Sequence, residues 1–199
     1  MRLAQEAASA LCLQQVRFIP AGEPWQRGAP RAPASQRLEM VKLACSGNAQ
    51  FVVDDREIRR DGPSYTVDTL TELRAELGPE QPLCLLLGAD AFLGLNTWHC
   101  WQEIFNLAHC AVAHRPGFEQ SSWAESMPPA LQQALDARQT TDPSALAKTP
   151  AGQILIYPLT PLDISASHIR TGLKQGKSPR YLVPDTVLDY ISKNQLYSE

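Results

Sequence analysis

Pro82-Leu83-Cys84-Leu85-Leu86-Leu87-Gly88-Ala89-Asp90 decides how this chain folds. Leu83 to Leu87 is an unbroken apolar run, cut off at once by a glycine and a carboxylate. Such a run predicts a central strand of a parallel sheet, buried on both faces. Parallel strands need long crossovers, most often helices. The flanking sequence supplies them. Upstream, Val67, Leu70, Leu73 and Leu77 share one face of an amphipathic helix that Thr66 can cap and Gly78-Pro79 ends. Downstream, a helix around Trp101 to Leu107 leads into a strand at Cys110-Ala111-Val112-Ala113.

The same alternation continues in both directions. Leu3, Ala7 and Leu11 predict a helix over residues 3–15, followed by a short strand at Val16-Arg17-Phe18-Ile19-Pro20. After a Gly- and Pro-punctuated loop, Ser35 can cap a helix whose face carries Leu38, Val41 and Cys45, and Phe51-Val52-Val53 reads as a strand. Residues 117–150 are rich in Ser, Pro and Gln around one short helical stretch, and read as a variable surface excursion. Gln153 to Tyr157 is the last strand, and two helices close the chain, one after Ser165 and one from Pro184 through Ile191. The predicted class is α/β. It is a Rossmann-like, doubly wound parallel sheet with helices on both faces, in a single domain over residues 1–199. This class normally opens on a strand and a glycine-rich phosphate loop. The chain opens on a helix instead, so its first strand is expected to be missing.

Composition excludes several function classes. The 199 residues carry 18 Lys plus Arg against 21 Asp plus Glu, a net charge of -3 that does not suit nonspecific binding to nucleic acid. No stretch approaches the roughly 20 apolar residues of a membrane span, and Glu6 breaks the N-terminal apolar run that would mimic a signal peptide. The five cysteines form no Cys-x-x-Cys pair and sit mostly in apolar runs, which predicts buried free thiols and fits a reducing cytoplasm. The four histidines show no metal-ligand spacing with them.

In open α/β sheets ligands lie beyond the carboxyl ends of the strands. That rule selects Gly88-Ala89-Asp90, His114-Arg115-Pro116-Gly117, and Ile164-Ser165-Ala166-Ser167-His168-Ile169-Arg170, which should meet on one rim. Gly88 allows close approach of a ligand, and Asp90 suits ribose hydroxyls or a phosphate-bound Mg²⁺. Ser165 at a helix start and the Arg170 fork suit phosphate. Trp98 in Asn96-Thr97-Trp98-His99 suits stacking on a flat ring. The helix start at Thr66 and Val67 suits a carboxylate or phosphate. Taken singly, each has a plainer reading: a helix cap, a surface arginine, a half-buried core indole.

Taken in order, Gly62-Pro63-Ser64-Tyr65-Thr66-Val67-Asp68-Thr69-Leu70, Gly88-x-Asp90, Thr97-Trp98, Arg115-Pro116-Gly117, Ile164-Ser165-x-x-x-Ile169-Arg170 and Leu182-Val183-Pro184 resemble the bacterial nicotinate-nucleotide adenylyltransferases of the nucleotidyltransferase superfamily. The resemblance runs from about Leu3 to Tyr197. It implies adenylyl transfer from ATP to nicotinate mononucleotide, giving deamido-NAD and pyrophosphate with Mg²⁺ assisting. It implies Trp98 stacked on the pyridine ring, Thr66 with the backbone of Val67 and His99 on the nicotinate carboxylate, and Arg115 on the mononucleotide side. Gly88 and Asp90 would contact the nucleotide, and Ser165, Ser167 and Arg170 the ATP phosphates. His168 holds a variable position of that motif, where only its backbone N–H would serve. The family opens with a strand and Gly-Gly-Thr-Phe-Asp-Pro-x-His-x-Gly-His, whose two histidines act on the phosphates; that motif is not in this sequence. No catalytic side chain is therefore assigned, and a start placed at an internal methionine, or else a truly shortened gene, would account for the gap. Two other readings stay open: a noncatalytic chain that still binds nucleotide, and an adenylyltransferase for another phosphorylated acceptor such as phosphopantetheine.

Overall fold

A computed structural model of the protein describes residues 1–25, 30–114, 123, 127–158, 160 and 164–197. In chain order it runs α1 (Arg2–Ala10), β1 (Val16–Phe18), α2 (Ala34–Cys45), β2 (Phe51–Val53), α3 (Arg56–Arg59), α4 (Thr66–Leu77), β3 (Cys84–Gly88) and α5 (Ala89–Leu93). Then come α6 (Ile104–Leu107), β4 (His109–His114), α7 (Pro129–Arg138), β5 (Gln139–Thr140), β6 (Ile154–Pro158), α8 (Ala166–Lys174) and α9 (Asp185–Lys193). The contacts divide the chain into two compact units. One holds Gln14–Ser64 and Leu162–Glu199 with Met1, and the other holds Arg2–Leu13 and Tyr65–Pro161.

In the first unit β1 and β2 pair in parallel, with Val16 opposite Phe51 and Phe18 opposite Val53. The Phe18 and Phe51 rings meet edge to face at 5.1 Å. α2 lies against β2 and α9. Its start corrects the expected cap: Pro33 is the N-cap and makes no side-chain bond, so Ser35 is already helical. The α8 cap matches expectation. Ser165 stands at the N-cap, and its oxygen accepts the His168 N–H at 3.1 Å.

The second unit is a four-stranded parallel sheet in the order β3-β4-β6-β5. The Leu83–Leu87 run does form a strand, but not the central one. β3 ends the sheet among the described residues and is only half-buried along most of its length. β4 holds the centre, with Cys110, Ala111 and Val112 wholly buried. Two neighbours cover β4, whereas among the described residues β3 pairs only with β4. α1 packs on this sheet through Ala7 against Ala111, Ala113 and Tyr157, with Leu3, Leu11, Cys84 and Leu86 around them. Small side chains on both surfaces let the helix backbone approach the sheet closely. α1 is shorter than the predicted 3–15. It ends at Ala10, and Cys12 turns into the left-handed region at φ 50.

The stretch read as a surface excursion is packed in its described part. Trp123, Leu131 and Leu135 are almost wholly buried, and Gln139–Thr140 adds β5 to the sheet beside β6. Arg74 on α4 ties three segments together. Its guanidinium donates to the carbonyls of Gly78, Pro79, Gln81, Leu107 and Pro150. Among the described residues no helix is long and apolar enough to cross a membrane.

Candidate functional site

Gly88 ends β3 directly opposite Ala113, one residue before His114 ends β4. Two of the three expected stretches therefore start from the same end of this sheet. The third, Ser165 to Arg170, belongs to the first unit. Gly88 has φ -80 and ψ 157, a conformation open to any residue, so the backbone does not require glycine here. A Cβ at Gly88 would meet nothing within 4 Å, so the side of the strand end is open. Asp90 follows in the first turn of α5 with its carboxylate exposed. Arg115 lies outside the described residues.

Thr66 is the first helical residue of α4, not its cap. Tyr65 holds the N-cap and gives the first turn no side-chain hydrogen bond. The positive end of α4 is thus left to be met by something other than its own cap. Trp98 is positioned by the tight turn before it. Leu95 is wholly buried, the Thr97 hydroxyl donates to the Gly94 carbonyl at 2.8 Å, and the Trp98 N–H donates to the Leu95 carbonyl at 2.9 Å. The Trp98 indole is half-buried and His99 is exposed.

The Ser64-Tyr65-Thr66 and Thr97-Trp98-His99 elements meet. The Tyr65 and His99 rings stack with centroids 4.2 Å apart and an interplanar angle of 29°. The Cys100 sulfur lies 3.5 Å from His99 Nε2. Tyr65 was part of the quoted motif but was given no role by the sequence reading. No local signal announces a stack between residues so far apart in the chain.

In the first unit, Ser165, Ser167 and Arg170 gather at the start of α8. The Arg170 Nη2 donates to Ser167 Oγ at 3.2 Å. The His168 N–H, expected to be available to a ligand, is engaged by the Ser165 cap. Ser167 is exposed and Arg170 half-buried. Charge is unevenly divided between the units. The one with Ser165 and Arg170 carries 13 Lys plus Arg against 10 Asp plus Glu, and the other 5 against 11. The positive balance lies with the unit whose serines and arginine suit phosphate.

Among the described residues no group of three His, Cys, Asp or Glu side chains stands close enough to hold a metal ion. A single carboxylate such as Asp90 still suits a Mg²⁺ whose other ligands are substrate phosphates and water.

The fold and the family can be compared with known proteins. Residues 1–172 match the family model described as cytidylyltransferase-like, which makes the chain a nucleotidyltransferase of that class. A solved structure of the Plasmodium falciparum nicotinic acid mononucleotide adenylyltransferase complexed with NaAD shares the fold. Its TM-score is 0.70 at 14% identity, covering 98% of this chain and 88% of that one. A curated relative from Dechloromonas aromatica, named "Probable nicotinate-nucleotide adenylyltransferase", is 51% identical over 197 residues, spanning 99% of this chain and 90% of its own length. One of the same name from Acidithiobacillus ferrooxidans is 47% identical over 197 residues, 99% of this chain and 88% of its own. The chain belongs to the nicotinate-nucleotide adenylyltransferases, a family of enzymes.

Proposed function

We propose that the protein transfers the adenylyl group of ATP to nicotinate mononucleotide, a step of NAD biosynthesis. An oxygen of the mononucleotide 5′-phosphate attacks the α-phosphorus of ATP. The bond from that phosphorus to the bridging oxygen breaks, pyrophosphate leaves, and deamido-NAD remains. The Tyr65–His99 stack is the observation that carries this reading, because it joins the two elements that the resemblance assigns to the pyridine ring and to its carboxylate.

The resemblance then gives each residue a role. The Trp98 indole stacks on the pyridine ring. Thr66, with the N–H of Val67 and the backbone of His99, binds the nicotinate carboxylate at the uncapped start of α4. Arg115, which is outside the described residues, is assigned to the mononucleotide side by the resemblance alone. Gly88 leaves room for the nucleotide, and Asp90 reaches its ribose hydroxyls or phosphates. Ser165, Ser167 and Arg170 take the ATP phosphates. Arg170 has five N–H donors, so its bond to Ser167 leaves donors for an anion. Asp90 would stand by a Mg²⁺ arriving with ATP, which would supply neutralisation of phosphate charge. The chemistry needs no covalent intermediate on the protein. The side chains act by holding the two phosphates in line and offsetting their charge.

The two units would work as a single nucleotidyltransferase domain, with small molecules as its only substrates. A cytoplasmic location goes with this reading and is supported by five free cysteines, of which Cys45 and Cys110 are buried as expected while Cys12 and Cys100 are exposed. The test follows pyrophosphate release in ATP and Mg²⁺ with each of three acceptors: nicotinate mononucleotide, nicotinamide mononucleotide and phosphopantetheine. Release that depends on nicotinate mononucleotide is expected. Release with phosphopantetheine and none with a pyridine mononucleotide would overturn the substrate assignment.

A further inference from the structure

The Ser64 side chain holds a contact within the protein far from its own place in the sequence. Its oxygen accepts the N–H of Gly22 at 2.9 Å and the N–H of Glu23 at 3.1 Å. Its own N–H donates to the Glu23 carbonyl at 2.9 Å, and Glu23 and Pro63 form a parallel bridge. The turn at Gly22 sits where only glycine fits: a Cβ there would lie 2.1 Å from the Glu57 carbonyl oxygen. Arg37 holds the same turn from another side, donating from Nη2 to the Gly22 carbonyl at 3.0 Å. On the other side of Ser64 the chain passes through Gly62 at φ 90, a left-handed conformation that favours glycine.

A hydroxyl that accepts two N–H groups at once has its direction fixed by both. Segment 62–64 is thereby clamped to the 22–23 turn. The next two residues are the N-cap Tyr65 and the first helical residue Thr66. We propose that Ser64 is a positioning residue for nicotinate mononucleotide. Its hydroxyl fixes the point from which Tyr65 and Thr66 start α4, and so sets the first-turn groups that take the nicotinate carboxylate. The inference rests on the functional reading above. Ser64 touches no substrate atom and acts only through the backbone of its two successors.

The experiment measures the affinity of the full chain for nicotinate mononucleotide and, separately, for ATP, in Ser64→Ala, Ser64→Thr and Thr66→Val. Ser64→Ala should weaken nicotinate mononucleotide roughly tenfold while ATP stays within about twofold. Ser64→Thr keeps the accepting oxygen and should restore most of the affinity. Thr66→Val should weaken the mononucleotide as well. If Thr66→Val weakens it and Ser64→Ala does not, the positioning role is wrong and the site stands. If neither variant moves it, the carboxylate site itself is wrong and the inference falls with it. Equal weakening of both ligands by Ser64→Ala, with a lower Tm, would make Ser64 merely structural and overturn the proposal. So would a Ser64→Thr variant that restores nothing.

Discussion

The imidazole of His99 stacks on the phenol ring of Tyr65, 4.2 Å between centroids and 29° from parallel. Tyr65 is the N-cap of α4, and His99 follows the turn that presents Trp98. The stack therefore ties Thr66 and Trp98 together through their chain neighbours. An offset aromatic pair of this kind contributes about 0.5–1.5 kcal/mol beyond its buried area. Replacing Tyr65 by Leu should keep much of the apolar contact and lose the stack. Binding of nicotinate mononucleotide should weaken by about that amount, read by calorimetric titration. Unchanged affinity would show that Trp98 is positioned without Tyr65.

Trp98→Ala removes the ring assigned to the pyridine itself. One base-to-aromatic stack is worth about 1–3 kcal/mol. Nicotinate mononucleotide should lose that much affinity and ATP much less. Equal losses for the two ligands would refute the assignment.

Arg170→Ala should act on the other substrate. The guanidinium at the start of α8 is half-buried, and within the protein it donates to Ser167. A charge-assisted contact to phosphate is worth roughly 1.5–3 kcal/mol. ATP should bind more weakly by that amount, with nicotinate mononucleotide unaffected. If a folded variant binds ATP as tightly as the parent, Arg170 is an ordinary surface residue.

The sequence carried the alternation of elements well and their placement less well. Phe51–Val53 is the strand expected, and Gly78 at φ 92 ends α4 as predicted, because both signals are local. The apolar run at Leu83–Leu87 was read as the centre of the sheet, yet strand order depends on pairings that an apolar run does not encode. β4 is the buried strand, and the histidines at both its ends hide that in the sequence. Trp123, Leu131 and Leu135 were passed over because Ser, Pro and Gln surround them. A large indole in polar sequence was the available sign that this stretch returns to the core. The site residues were found as separate helix starts and strand ends. The Tyr65–His99 stack and the Ser64 clamp are long-range contacts, and nothing in either local sequence announces them.

Arg74 was likewise invisible as a single arginine on an amphipathic helix. Its five carbonyl partners lie after α4, at the end of α6 and at Pro150. Arg74→Ala leaves those carbonyls without this donor and should lower stability by about 1.5–3 kcal/mol in urea unfolding. Arg74→Lys should recover only part of it, since an ammonium lacks the planar fork. Full recovery by lysine would mean that the charge alone matters.

His109 sets an acid limit on stability. Its ring is wholly buried at the start of β4. Nε2 donates to the Thr149 carbonyl at 2.8 Å, and Nδ1 accepts the Gln153 N–H at 3.0 Å. This bonding requires the neutral ring, because a proton on Nδ1 would face the Gln153 N–H. Burial, with the Arg74 charge adding to it, holds the folded pKa below the ordinary value of 6.5, against the bond to Thr149. The unfolded chain takes up a proton at that ordinary value, and the folded chain only at lower pH. Above about pH 6.5 both states are neutral at this ring and its full contribution is present. As pH falls below that value the unfolded state is favoured, until the folded pKa is reached. Urea unfolding from pH 7.5 down to 5 should show stability falling with pH in that window. His109→Gln, which carries no proton there, should flatten that part of the profile even though it is less stable at pH 7.5. An identical slope in the variant would assign the acid sensitivity to other groups.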